Sequence, residues 1–75
     1  MNNTRRKELM KIQDELHAIQ SKLEDLLNEE QEYFDNMPEG LQSGQKGETA
    51  QDAIDKMETA INEIENIRDG FAELT

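Results

Sequence analysis

His17 is the only imidazole in the chain, and Asp14 stands three residues before it. On a helix that spacing puts both side chains on one side, as in the Glu-x-x-His pairs that ligate iron in carboxylate bundles. Such sites need further carboxylates pointing into the core at the same height. In the heptad register derived below, Asp14 and His17 fall outside the apolar seam, so His17 reads as a solvated surface residue. The chain has no Cys, which removes thiolate metal sites, disulfides and a cysteine nucleophile. It contains no GxSxG, HExxH or CxxC, and Gly40, Gly44 and Gly47 lack the spacing of a phosphate-cradling loop. Their expected role is conformational. No catalytic residue, cofactor or metal site is expected, and the chain is read as a non-enzyme.

The acids are the other candidates for chemistry. From Leu23 to Gln45 there are seven (Glu24, Asp25, Glu29, Glu30, Glu32, Asp35, Glu39) and no base. Carboxylates at close spacing on a rigid rod resemble a row of phosphates, which suggests contact with the basic groove of a nucleic-acid-binding protein. A solvated face that keeps a small protein in solution accounts for the same residues. Tyr33, Phe34 and Met37 lie within this stretch, and aromatic and Met side chains beside polar groups suit a protein-binding patch. The candidate contact set is therefore Glu29, Glu30, Glu32, Tyr33, Phe34, Asp35, Met37 and Glu39. Overall, 18 acids face 8 bases, a net charge of -10. Nucleic acid is an unsuitable direct ligand for such a surface; a basic protein suits it better.

The elements that position these residues follow from periodicity. Hydrophobics make up only 33% of the 75 residues and mean hydropathy is -0.99, values that composition alone would allow in a disordered chain. The apolar positions, however, are regular. Leu9, Ile12, Leu16, Ile19, Leu23 and Leu26 recur at alternating steps of three and four, the pattern of a coiled-coil seam. Continuing the register brings Glu30, Tyr33 and Met37 onto it, with Met10, Leu27 and Phe34 flanking. Asn3 or Thr4 is the expected N-cap, and Pro38 disfavours helical geometry at Met37. A first helix is expected over about 4–36, a loop over about 37–44, and a second helix over about 45–73 with Ser43 a candidate cap. The second stripe is Ala50, Ile54, Met57, Ile61, Ile64, Ile67, Phe71 and Leu74, with Ala53 and Ala60 beside it.

A short loop returns the chain antiparallel. Facing residues should then have a constant index sum. Leu9 with Leu74, Ile12 with Phe71, Leu16 with Ile67, Ile19 with Ile64, Leu26 with Met57 and Tyr33 with Ala50 all give 83. Leu23 with Ile61 and Glu30 with Ile54 give 84. The expected core is Leu9, Ile12, Leu16, Ile19, Leu23, Leu26, Ile54, Met57, Ile61, Ile64, Ile67 and Phe71. The fold class is all-α: an antiparallel hairpin of two long helices in one domain. Glu30 interrupts the seam, where Lys46 or the Tyr33 hydroxyl would have to satisfy it or it would snorkel to water. One seam is a small core for 75 residues, so pairing into a four-helix bundle is expected, a dimer first of all. The alternative to a partner-binding module is a self-assembling coiled-coil protein with a merely solubilising surface.

No apolar run is long enough for a membrane span and MNNTRRKELM has no apolar stretch of a secretory signal, so a cytoplasmic location and no membrane partner are expected. The run EEQEYFDNMPE (residues 29–39), followed by Leu41-Gln42-Ser43 and an acidic helix rich in Ala and Ile, resembles a family of small acidic helical-hairpin proteins encoded by phages and prophages. The resemblance spans about residues 20–70. It implies a phage-type origin, residence in a bacterial host's cytoplasm, and a host protein as target, with the chain acting as modulator or inhibitor of a nucleic-acid-binding or defence protein.

Overall fold

The computed structural model describes all residues, 1–75. It contains helix α1 (Asn3–Asp35), one short helical turn α2 (Glu39–Gln42) and helix α3 (Gln45–Ala72). There is no strand. α1 and α3 pack side by side and antiparallel in a rod of 58 × 15 × 12 Å.

Local chemistry explains each boundary. The N-cap of α1 is Asn2, one residue before the expected position: its Oδ1 accepts from the Arg5 N–H at 2.8 Å. Asn3 instead takes the Arg6 guanidinium at 3.3 Å. α1 runs 33 residues without Gly or Pro and stops at Asp35, just before Pro38. Its open carbonyl end is closed from the loop, where the Gln42 side chain donates to the Phe34 carbonyl at 2.9 Å. α3 starts at Gln45, and its N-cap residue, Gly44, provides no side-chain cap. Ser43, expected there as an N-cap, points the other way and donates to the Glu39 carbonyl at 3.2 Å, within α2. The expected plain loop over 37–44 thus carries a helical turn, started by the Pro38 carbonyl, which accepts from Leu41 and Gln42.

Gly47 explains how the bend is so tight. No glycine here has a positive φ. Gly47 is buried, and a Cβ on it would overlap the backbone carbonyl of Gln42. The glycine is therefore required by the close approach of α2 to α3, with backbone lying directly on backbone.

The seam differs from the expected one in α1. Every residue of α1 from Leu9 to Glu30 that is not fully exposed falls on two rows: Leu9, Leu16, Leu23 and Glu30, and Gln13, Gln20 and Leu27. Phe34 and Met37 continue those rows through the bend. In heptad terms the first row is d and the second is a. On α3 the facing rows are Gly47, Ile54, Ile61 and Arg68 (a) and Ala50, Met57, Ile64 and Phe71 (d), all buried or half-buried. Pairing a with d across an antiparallel seam gives Leu23 with Ile61, Leu27 with Met57, Glu30 with Ile54 and Phe34 with Ala50, each summing to 84. The two expected pairs that already summed to 84 are retained. Ile12, Ile19, Leu26 and Tyr33 give way to the next residue on α1, a rotation of about 50°, and Leu16 keeps its place but faces Arg68 in place of Ile67.

Ile12, Ile19, Leu26 and Ile67 were expected in the hairpin core. They lie outside it, between 41% and 53% exposed, as does Leu74, which the index sum pairs with Leu9. The reason is geometric. α1 carries apolar residues on three adjacent rows, and a single antiparallel seam covers two. Rotating α1 brings in Leu27 and Phe34 beside the bend. At the other end of α1 it brings in Gln13 and Gln20.

Three apolar residues are buried: Ala50, Ile54 and Ile61. Ile54, 1% exposed, is the best-covered large side chain. Replacing Ile54 by Ala should cost roughly 2–4 kcal/mol, read as a lowered midpoint in thermal circular dichroism. Gly47→Ala should also lower the midpoint, because backbone must move to admit the methyl. Gly40→Ala and Gly70→Ala meet open space and should be neutral or stabilising by up to about 1 kcal/mol. Equal effects at Gly47 and Gly40 would contradict the close approach.

Candidate functional site

The heptad rows that flank the seam decide the character of the two broad faces. In an antiparallel pair the g rows of both helices line one face and the e rows line the other. On α1 the g row is Ile12, Ile19, Leu26 and Tyr33; on α3 it is Ala53, Ala60, Ile67 and Leu74. All eight are apolar or aromatic. The six large ones stand 41–53% exposed and nothing covers them. The e rows are Met10, His17, Glu24 and Gln31 on α1, and Gln51, Glu58, Glu65 and Ala72 on α3. The rod is therefore two-faced, apolar on one side and polar on the other.

Two shallow hollows sit along the rod, one on each face. On the apolar face, at the bend end, Glu30, Tyr33, Gln45, Lys46, Thr49 and Ala50 surround about 290 Å³. Glu30 and its two expected partners meet there, yet neither pairing forms. The only ion pairs in the chain are Lys11–Glu8 at 3.5 Å and Lys56–Asp52 at 2.9 Å, both within one helix and exposed. The hydrogen bond from Lys56 to Asp52, and then the charge of Asp52, hold the Lys56 pKa above its usual value. Glu30 makes no hydrogen bond and reaches water through the hollow.

On the polar face, Gln13, Asp14, His17, Glu65, Arg68, Asp69 and Ala72 surround about 470 Å³. His17 is exposed at its rim, beside Asp14 as the spacing required. No group of three or more His, Asp or Glu side chains is gathered tightly enough to hold a metal ion. Beneath this hollow lies a polar cluster that sequence reasoning missed. Arg68 occupies an a position in the seam and donates through Nη1 to the Gln20 Oε1 at 2.9 Å. Gln13 donates through Nε2 to the Arg68 backbone carbonyl at 3.1 Å. These two bonds tie α1 to α3. The Arg68 Nε is buried without a partner. The signal was present in the spacing: Gln13, Gln20 and Arg68 are the polar residues on rows that also hold Leu27, Phe34, Ile54 and Ile61.

The expected contact residues do not share one surface. Tyr33 lies on the apolar face, 52% exposed, whereas its neighbour Phe34 is half-buried in the seam. Met37 is half-buried at the bend. Glu29, Glu32, Asp35 and Glu39 are exposed. At 100° per residue the acids of α1 point in different directions: Glu29 borders the apolar face, Glu32 and Asp25 face away from α3, and Glu24 lies on the polar face. They surround the bend half of the rod and do not align as a phosphate-like row. Arg5, Arg6 and Lys7 stand at the other end, near the C-terminal end of α3, with no ion pair to Asp69 or Glu73.

No helix is long and apolar enough to cross a membrane. Comparison with known proteins finds no matching family model, and no significant match among the curated proteins or the solved structures.

Glu30 faces Ile54 in the seam and has no partner. Glu30→Leu should raise stability by roughly 1–2 kcal/mol through the added apolar burial. Gln20→Ala should lower it, because the buried Arg68 guanidinium then loses its acceptor. Urea titrations of both variants check this pair; a stabilised Gln20→Ala would mean that the cluster is not a tie.

Proposed function

We propose that this chain is a non-catalytic protein-binding module that completes its core against the surface of another protein. The observation that supports the reading is the apolar face, eight residues in two facing heptad rows with no cover. Hydrophobic side chains scattered singly on a surface need no explanation, but a contiguous face rimmed by polar residues marks a contact surface. The face has the geometry that a third or fourth helix needs to pack in a left-handed bundle.

A second reading concerns the acids. The part of the rod nearest the bend (residues 20–58) carries 3 bases and 11 acids, a net of -8; the remainder carries 5 bases and 7 acids, a net of -2. This asymmetry favours orientation or capture of a basic protein by the bend. A phage-type origin would make such a target a host nucleic-acid-binding or defence protein, with the chain as its modulator.

A photo-crosslinking residue, p-benzoylphenylalanine, placed singly on each face of the chain in bacterial cells tests the module. At Ile19 or Ile67 it should give adducts heavier than the 8.7 kDa chain. At Glu24 or Glu58, on the polar face, it should not. Equal adducts from both faces, or none from the apolar face, would overturn the reading.

A further inference from the structure

We infer that the apolar face is the docking surface for a second copy of this chain, stacked with its bend at the opposite end of the rod. The inference rests on the protein-binding reading above and names the partner. Three observations carry it.

The first is size. The rows from Ile12 to Tyr33 and from Ala53 to Leu74 each span 21 residues, about 32 Å at 1.5 Å per residue. Two adjacent helices make the face about 20 Å wide. The footprint is then about 640 Å² per copy, or roughly 1,300 Å² for the pair, within the range of stable specific interfaces. The hairpin alone encloses only Ala50, Ile54 and Ile61, a small core for a chain that gains no disulfide.

The second is layer volume. Two hairpins can stack these faces with two-fold symmetry in two ways. With both bends at one end, α1 lies over the partner's α3. One half of the interface then holds layers made of Ile12 and Leu74 twice, and of Ile19 and Ile67 twice. The other half pairs Leu26 with Ala60 twice and Tyr33 with Ala53 twice. Four large side chains per layer at one end and two at the other cannot keep the helices at an even spacing. With bends at opposite ends, α1 lies over α1 and α3 over α3. Each layer then contains one alanine and three large residues: Ile19, Ile67, Leu26 and Ala60, or Ile12, Leu74, Tyr33 and Ala53. Uniform layers are what a close-packed bundle requires.

The third is charge. The -8 half of each rod would lie beside the other -8 half in the same-end arrangement. In the opposite-end arrangement it meets the -2 half. The basic N-terminal segment, Arg5, Arg6 and Lys7, then comes level with the partner's acidic bend, where Asp35 and Glu39 lie. Like charges so juxtaposed disfavour one orientation and admit the other.

The test uses the full chain. Sedimentation equilibrium at micromolar concentration should give a species of about 17 kDa, twice the 8.7 kDa chain. Gly40 sits in open space at the bend, so Gly40→Cys carries a nitroxide label without disturbing the fold. Pulsed dipolar spectroscopy should return a label separation of about 50 Å, set by the distance of the bend from the interface centre. Ile19→Lys places a charge in the face and should weaken self-association at least about thirty-fold; circular dichroism of that variant separates lost pairing from lost helix. A separation under about 20 Å would establish the same-end arrangement and overturn the orientation. An 8.7 kDa species alone would overturn self-pairing. In that event, face-specific adducts to a different protein would leave the binding-module reading standing, and their absence would remove both.

Discussion

Two helices in contact cover two rows of side chains each, and this chain has three apolar rows on each helix. Most of the structure follows from that mismatch. With the a and d rows of both helices in the seam, the third rows fall on the same flank of the pair, because in an antiparallel hairpin equivalent flanks meet on one side. The third rows are not scattered: they form a single strip bounded by Arg5 near one end and Lys46 near the other. No element of the structure lies over it: α1, α2 and α3 make one turn of the chain and leave the strip open.

What decides which rows are covered is concentrated at the ends of the seam. Near the bend, Phe34 and Leu27 face Ala50 and Met57, and Gly47 lets α2 lie directly on α3. At the bend itself the large Phe34 meets the small Ala50, and the helices close up. Toward the other end the same rotation brings Gln13, Gln20 and Arg68 into the seam. Polar groups in such a place need partners, and the two bonds they make to each other across the helices set the alignment. Their apolar replacement would pack as well but would not distinguish one register from the next. The pattern is that of a polar residue in a coiled-coil core, which fixes alignment at a cost in stability.

Much of this was legible in the sequence, and the failures have identifiable causes. Helix number, direction and approximate ends followed from spacing and Pro38. On α3 the expected stripe holds the observed seam residues Ala50, Ile54, Met57, Ile61, Ile64 and Phe71, but it also takes in Ile67 and Leu74, which lie on the third row and are exposed. On α1 the strict three-and-four spacing of Leu9, Ile12, Leu16 and Ile19 pointed to the wrong pair of rows. Periodicity counts apolar residues, and it cannot weigh Leu27 and Phe34 against Leu26 and Tyr33 without their partners. It also gave Gln13, Gln20 and Arg68 no role, because a hydrogen-bonded polar cluster leaves no apolar signal. The glycines were assigned to turn geometry, whereas Gly47 serves to let two backbones touch, a requirement visible only once both segments are in place. The contact residues proposed around Tyr33 were chosen by proximity along the chain. Successive residues on a helix point about 100° apart, so Tyr33 and Phe34 separate onto different surfaces.

The packing of Gln42 on Gly47 also bears on how the chain reaches its fold. These groups are five residues apart in sequence, so bringing them together closes a very small loop at little entropic cost. Each later layer of the seam lies farther from the bend, up to Gln13 with Phe71, but once its inner neighbour has formed its ends are already close. Such a topology orders itself progressively, with mostly local steps and correspondingly fast kinetics. The bend is then the nucleus and the free end the last part to form. A side chain at position 47 would act on the first event of folding, slowing the forward rate, whereas losses among Gln13, Gln20 and Arg68 would chiefly speed unfolding.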